Sequence, residues 1–360
     1  MNKLRVAMVT ALLLMGSISE GLTLQAKSQD QALPVIPPPA ITAEEAKSLE
    51  LGLKTNPDNL SSREKLIQYY FMENIRLRDS ALEEKREEHV FWLIEHHPES
   101  HLAGSPEAEI MPGLSSRTTQ AYQHGKQLWA DQVAKNSKSP AVLLNAADFM
   151  FLWDRDNSRE LLEKVLLINP QDKMASSRLA QSYELEREAG RSSQENEALS
   201  QTALSIRERG LQNADSEERF DGLDALASTA FEAGDIPKAE QYARELLQMA
   251  PQHKQSWNYG NAIHKGNIVL GRIALRHGDI PSAKQYLLAA GATPGSPQLD
   301  SFGPNMTLAK ELLEKNEGEV VLAYLESCGK FWKLGGKNLK DWTAMIRGGA
   351  VPDFGANLIY

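Results

Sequence analysis

Small and apolar residues recur at constant intervals over the last part of the chain, residues 220–335. In three consecutive segments a leucine is followed by a small residue, and a second small or apolar residue lies twelve positions after it. The pairs with this spacing are Ala227 and Ala239, Gly271 and Ala283, and Ala309 and Val321. Small residues at such positions let two antiparallel helices approach closely, while the apolar residues between them fill the seam. The pattern predicts three helical hairpins, over residues 220–253, 264–297 and 302–335.

A Gly–Asp pair stands at the predicted turn of the first two hairpins. Aspartate is a favoured N-cap, because its carboxylate accepts hydrogen bonds from N–H groups of the first helical turn. We therefore expect Asp235 and Asp279 to cap the second helix of each hairpin. Pro237 and Pro281 would lie in the first turn that follows, where proline is tolerated because its missing N–H would have no partner there.

This arrangement resembles the tetratricopeptide repeat (TPR) family, whose unit has about 34 residues and the pattern W-x2-L-G-x2-Y, A-x3-F, P. Leu270 and Gly271 match the Leu–Gly pair, Ala239 and Ala283 match the alanine, and Pro251 matches the terminal proline. The resemblance covers residues 220–335 well and residues 61–335 loosely.

The resemblance implies an all-α fold, a right-handed α-solenoid of TPR-like helical hairpins. It also implies a non-catalytic scaffold that holds a protein or peptide partner in a concave groove lined by the first helix of each hairpin. We therefore expect no enzymatic activity and no cofactor. Residues 41–212 are interpreted as degenerate helical repeats, residues 213–335 as TPR-like repeats, and residues 336–360 as a C-terminal cap.

The N-terminus has the pattern of an export signal. Lys3 and Arg5 precede an apolar run over residues 6–16, which is too short for an ordinary membrane span. Residues 1–26 are therefore interpreted as a signal peptide, with an uncleaved anchor as the alternative. Residues 27–40 form a Pro-rich linker. We expect an exported protein, periplasmic or extracellular, with no integral membrane span in the mature chain.

Composition narrows the classes of partner. The chain of 360 residues has a formal net charge of −9. Nucleic acid is disfavoured as a partner, because binding phosphates requires a basic surface. The single cysteine, Cys328, excludes an intrachain disulfide and is expected to be a buried residue of the hairpin seam. The sequence lacks the common nucleophile, zinc-protease and phosphate-loop motifs, and we predict no metal site.

Basic residues on one predicted helix are a candidate site for a partner. Lys265, Arg272 and Arg276 are spaced by seven and four positions, so they share one helical face. Lys310 is at the matching place on the next first helix. Such a basic stripe suits a segment that carries carboxylates. The alternative is a solvated face whose charges pair with Asp279, Glu311 or Glu314.

An insertion between the two best repeats offers a second candidate site. Residues 252–263 are predicted to form a loop that contains Trp257, Tyr259 and Asn261. Aromatic faces and amides suit sugars, so these residues would favour a secreted enzyme or a carbohydrate-binding protein. The alternative is that the loop packs against the hairpins.

Overall fold

The computed structural model describes residues 39–113, 115–187 and 191–358. Over these ranges the chain forms sixteen α-helices and short 3-10 turns, and none of the described residues is in a β-strand. The predicted all-α fold is confirmed. The chain divides into two compact units at residues 182 and 183, and each is described by itself. The predicted signal peptide and nearly all of the linker lie outside the described residues.

The first unit consists of helices packed against their neighbours in the chain. Helices α2 and α3 form one hairpin, α5 and α6 form another, and α4 packs against both α3 and α5. Val90, Leu93 and Ile94, on one face of α3, are fully buried. The helices are α1 (Ala43–Leu53), α2 (Leu60–Leu77), α3 (Ser80–His96), α4 (Ser116–Lys135), α5 (Pro140–Met150), α6 (Arg155–Ile168) and α7 (Lys173–Glu184), which ends just past the boundary.

Two 3-10 turns connect α3 to α4, at His101–Gly104 and Pro106–Ala108. The side chain of Asn145, on α5, donates hydrogen bonds to the carbonyl oxygens of Pro98 and Ser100, at 2.8 and 2.9 Å. These bonds hold the connection against α5, because the carbonyl groups would otherwise be buried without partners.

The second unit contains the three predicted hairpins. They are α9 with α10, α11 with α12, and α14 with α15, and the first helices of successive hairpins pack side by side. The helices are α8 (Ser193–Gly210), α9 (Ser216–Glu232), α10 (Ile236–Met249), α11 (Tyr259–Arg276), α12 (Ile280–Gly291), α13 (Pro297–Phe302), α14 (Thr307–Leu313), α15 (Gly318–Cys328) and α16 (Gly336–Arg347).

The caps and the close helix contacts agree with the sequence pattern. Asp235 accepts a hydrogen bond from the backbone N–H of Lys238, and Asp279 accepts one from Ser282, at 3.2 and 3.0 Å. The predicted N-caps are therefore confirmed. The five small or apolar seam residues other than Gly271 are at most 1% exposed; they are Ala227, Ala239, Ala283, Ala309 and Val321. Cys328 is fully buried, as predicted.

Two helices begin within polar stretches of the chain, and the one predicted loop is shorter in the structure. Helix α6 begins at Arg155 and α8 begins at Ser193. Helix α11 begins at Tyr259, so the prediction of a loop through residue 263 is wrong at its end. In α8 the reason is a capping box. The hydroxyl of Ser192 accepts a hydrogen bond from the backbone N–H of Glu195 at 3.2 Å, and the Glu195 carboxylate accepts from the backbone N–H and the hydroxyl of Ser192 at 2.8 and 2.7 Å. These bonds start the helix within a polar run.

The last helix packs on α15. Trp342 and Ile346 of α16, together with Phe354 beyond it, belong to the same buried cluster as Val321 and Tyr324 of α15. Residues 359 and 360, at the end of the predicted cap, lie outside the described residues. Among the helices of the described ranges, none combines the length and apolar character needed to cross a membrane.

Candidate functional site

Of the four predicted basic residues, three lie on α11 and Lys310 lies on α14, and two of the four are paired with carboxylates. Lys265 Nζ is 2.8 Å from Asp224 Oδ2 on α9. Arg272 Nη1 is 2.6 Å from Glu232 Oε1, at the end of α9, and Arg272 Nε is 2.8 Å from Glu311 Oε1 on α14. Arg272 therefore connects the first helices of three successive hairpins.

The guanidinium of Arg272 also contacts an aromatic ring, in addition to its two carboxylate partners. Its central carbon lies 4.2 Å from the centroid of the Phe231 ring, a cation–π contact. The side chain is only 18% exposed. Since all three nitrogens take part in ion pairs with Glu232 or Glu311, this residue has little capacity left for a partner's carboxylate.

The ion pairs continue towards the start of the second unit. Arg187 pairs with the other oxygen of Glu232. Arg207, on α8, holds Glu184 with two hydrogen bonds of 2.9 and 2.8 Å, and Thr229 donates to the same carboxylate at 2.6 Å. We call this set of paired charges the charged ladder. Its members are Glu184, Arg187, Arg207, Glu232, Arg272 and Glu311.

The pKa shifts follow from the number of charged partners. Burial by itself would lower the pKa of Arg272, but the attraction of Glu311 and Glu232 raises it above its usual value. Burial would raise the pKa of Glu232, yet Arg272 and Arg187 together bring it below its usual value. The pKa of Glu311 is raised by burial, because only Arg272 opposes that effect and Glu232 adds a like charge. Glu232 is therefore more firmly ionised than Glu311.

The other two predicted residues are less constrained. Arg276 is exposed and Lys310 is partly buried, and neither forms an ion pair with another described residue. Pairing with Glu311, which the sequence left open, occurs for Arg272, whereas Asp279 caps α12 instead. Within the part of the chain that the structure describes, the predicted stripe is therefore a face of mixed charge on which two of the four cations form no ion pair.

The three residues predicted in the inserted loop do not converge on one site. Trp257 is 54% exposed, and Tyr259 is partly buried against the apolar core of the second unit. Asn261 is 1% exposed; its amide donates to Asn258 and Gln298 and accepts from Ser296. Packing, the alternative interpretation, is what the structure shows for Asn261.

The first unit also contains a small cavity that the sequence did not predict. Its volume is about 60 Å³, and it lies among the 3-10 turns, the end of α5 and α7. Its polar lining comprises Ser105, Glu109, Asp148 and Arg178. Burial raises the pKa of Glu109 to about 6, and burial also raises the pKa of Asp148. Ser105 and Glu109 belong to the connection between α3 and α4, whereas Asp148 and Arg178 lie on two separate helices, so no local spacing in the sequence identifies the set.

Comparison of the chain with protein-family models gives no match, and comparison with curated proteins gives none either. Within the described ranges, no group of three or more His, Cys, Asp or Glu side chains is arranged to hold a metal ion.

Proposed function

We propose that this chain is an exported, non-catalytic scaffold of TPR-like hairpins, arranged as a right-handed α-solenoid, that binds a protein or peptide segment. The binding face would be the one that carries the charged ladder. The observation that supports this proposal is the ladder itself, since it places partly exposed charges of α9, α11 and α14 side by side on consecutive first helices.

The ladder suits a binding surface because it fixes its own side chains. A charged side chain that is already held in one geometry loses less conformational entropy when a partner binds. The paired residues would thus position the partner, while Arg276 and Lys310 supply unpaired positive charge. This division favours a partner segment that carries carboxylates, which Arg can hold with two parallel hydrogen bonds.

The test begins with identification of a partner. The mature protein would be used to capture proteins from its own envelope fraction, and the affinity of the captured partner would then be measured directly. The variant Arg276→Glu/Lys310→Glu should weaken binding by about tenfold or more, because it replaces attraction by repulsion. Arg272→Glu is not a suitable test variant. It would place a third carboxylate between Glu232 and Glu311, and the repulsion would destabilise the fold itself.

The matched control is Lys254→Glu/Lys330→Glu, which makes the same change in net charge at two exposed lysines outside α11 and α14. The control should bind like the wild type, and all proteins should have similar melting temperatures. Full binding by the Arg276→Glu/Lys310→Glu variant would exclude this face as the site.

The exposed indole of Trp257 is the observation that favours the second candidate function, carbohydrate binding or a secreted enzyme at residues 252–263. In that case Trp257→Ala would abolish sugar binding without changing stability. An unchanged affinity for the captured protein in this variant would support the scaffold.

A further inference from the structure

The cavity of the first unit contains a carboxyl group, that of Glu109, which forms no ion pair with a described residue. Glu109 Oε1 accepts a hydrogen bond from the indole N–H of Trp153 at 3.1 Å. The nearby guanidinium of Arg86 donates instead to the backbone oxygen of Glu109, at 2.8 Å, and pairs with the carboxylate of Glu83 at 2.6 Å. Among the described residues, no ion pair reaches the Glu109 side chain.

The second carboxylate in the cavity wall is already neutralised. Asp148 Oδ1 lies 2.9 Å from Arg178 Nε, and the same guanidinium lies over the ring of Phe151 at 5.5 Å from its centroid. Asp148 and Arg178 therefore add no net charge to the cavity. Arg86 and Arg178 offset the effect of burial on the pKa of Glu109 only in part, and neither forms an ion pair with its carboxylate, so ionised Glu109 would favour a bound cation.

A hydroxyl group in the lining also lacks a partner. Ser105 Oγ is buried and forms no hydrogen bond with any described residue. A buried polar atom without a partner is destabilising, because it has lost its hydrogen bonds to water. Because Ser105 lines the same cavity as Glu109, a ligand with N–H donors would satisfy both groups.

The size and the remaining lining limit the ligand to a small head with a short hydrocarbon chain. One water requires about 10–15 Å³ of such a volume, so the cavity of about 60 Å³ has room for roughly four to six non-hydrogen atoms. Its apolar lining is aliphatic or aromatic and consists of Ala103, Pro106, Phe149, Phe151 and Leu152.

We propose that this cavity binds a primary alkylammonium group, with Glu109 as its counter-ion and Ser105 as a further hydrogen-bond acceptor. An ammonium group presents three N–H donors and no acceptor, so it matches a carboxylate and a free hydroxyl oxygen. The apolar lining contacts the methylene groups. A guanidinium is planar and larger, and its fork requires a bidentate carboxylate that Trp153 already occupies in part.

Two sources supply this chemistry, the end of a lysine side chain and a free alkylamine. Three probes distinguish them when titrated into the ¹⁵N-labelled full-length mature protein at about pH 7.5, where Glu109 is mostly ionised. The probes are n-butylamine, Nα-acetyl-lysine amide and the neutral analogue n-butanol. The readout is the indole N–H resonance of Trp153, assigned by its loss in Trp153→Phe, because this group donates to the Glu109 carboxylate.

Saturable shifts with n-butylamine and with the lysine derivative assign the cavity to a lysine side chain. Shifts with n-butylamine alone assign it to a free alkylamine. The proposal is overturned if neither amine shifts the resonance at millimolar concentrations, or if n-butanol binds as well as n-butylamine.

Variants test the role of the carboxylate. Glu109→Gln keeps an acceptor for Trp153 but removes the charge, and it should weaken amine binding about tenfold or more. The matched control is Glu107→Gln, two residues away, which removes the same charge outside the cavity lining and should leave binding unchanged. Ser105→Ala should weaken binding to a smaller extent. Equal amine affinity in Glu109→Gln and the wild type, with both proteins folded by circular dichroism, would overturn the proposal.

Discussion

The imidazole of His264 accepts a hydrogen bond at Nε2 from the backbone N–H of Asn305, over 2.9 Å. Nδ1 of the same ring lies 3.2 Å from the carbonyl oxygen of Ala290, to which it donates. The ring is therefore neutral, with its proton on Nδ1. It joins α11 to the end of α12 and to the connection before α14.

This arrangement predicts a pH-dependent loss of stability. Burial lowers the pKa of His264 from 6.5 to about 4. Above pH 6.5 neither state binds the proton, so the stability is fully present there. As the pH falls from 6.5 towards 4, only the unfolded chain binds the proton, and the free energy of unfolding should decrease by up to about 3 kcal/mol.

The measurement is denaturant unfolding of the wild type and His264→Gln between these pH values. In His264→Gln the free energy of unfolding should not show the decrease caused by protonation of His264 between pH 6.5 and 4, even if the variant is less stable at every pH. His277→Gln, at an exposed position just after α11, is the control and should retain it. Parallel pH profiles for the wild type and His264→Gln would contradict the prediction.

Gly271 should not tolerate a side chain. A Cβ atom added there would lie 2.2 Å from Leu308 Cδ2 and 3.1 Å from Tyr286 Cβ. Gly271→Leu should therefore reduce the free energy of unfolding by roughly 1–3 kcal/mol. Gly52→Ala is the control, because Gly52 is an exposed helical glycine with no atom within 4 Å of the added Cβ, and it should be stabilising by about 0.5–1 kcal/mol. Chemical denaturation measures both, and an unchanged midpoint for Gly271→Leu would disprove the close contact.

Two arginines on one face of α11 should differ in their effect on stability. Arg272→Ala leaves Glu232 and Glu311 without their shared cation, so it should cost roughly 1–3 kcal/mol, between the values for surface and buried pairs. Arg276 lies one turn away and forms no ion pair with a described residue, so Arg276→Ala should change stability by about 0.5 kcal/mol or less. Thermal unfolding at low and high salt would show the difference. Equal melting temperatures for the two variants would mean that the ladder does not stabilise the fold.

Export is the prediction that depends on the sequence alone. Expression with the native leader should yield a mature chain that begins near Lys27, as measured by mass spectrometry of the periplasmic or extracellular fraction. Leu13→Arg should block export, because an arginine within the short apolar run costs about 2.5–3.5 kcal/mol on an insertion scale. Recovery of the wild type only as the full-length cytoplasmic chain would exclude a cleaved signal.

Features set by local chemistry could be predicted from the sequence. Asp235 and Asp279 cap their helices because the hydrogen bond spans only three residues, and the seam alanines are buried because helical spacing places them on one face. The start of α11 could not be placed, since no residue before Tyr259 caps it with a side chain.

The sites were harder to predict than the helices. Whether Arg272 is free or paired depends on residues 40 and 39 positions away, and their approach is decided by how the hairpins stack. The cavity is still harder to predict, because Ser105 and Glu109 on one connection, Asp148 on α5 and Arg178 on α7 are brought together only by tertiary packing. The spacing of hydrophobic and polar residues within one helix predicts neither the pairing of Arg272 nor the lining of the cavity.

The charged ladder also gives the hairpins a fixed order. If the α11–α12 hairpin were deleted and its neighbours rejoined, Glu232 would face Glu311, and two carboxylates would meet where Arg272 now stands between them. Duplication of that hairpin would in turn place one copy of Arg272 beside another. The small residues between the two helices are nearly the same in each hairpin, but the charges on the first helices differ. The hairpins are therefore not interchangeable. Insertion or deletion of a whole hairpin would bring like charges together and destabilise the fold.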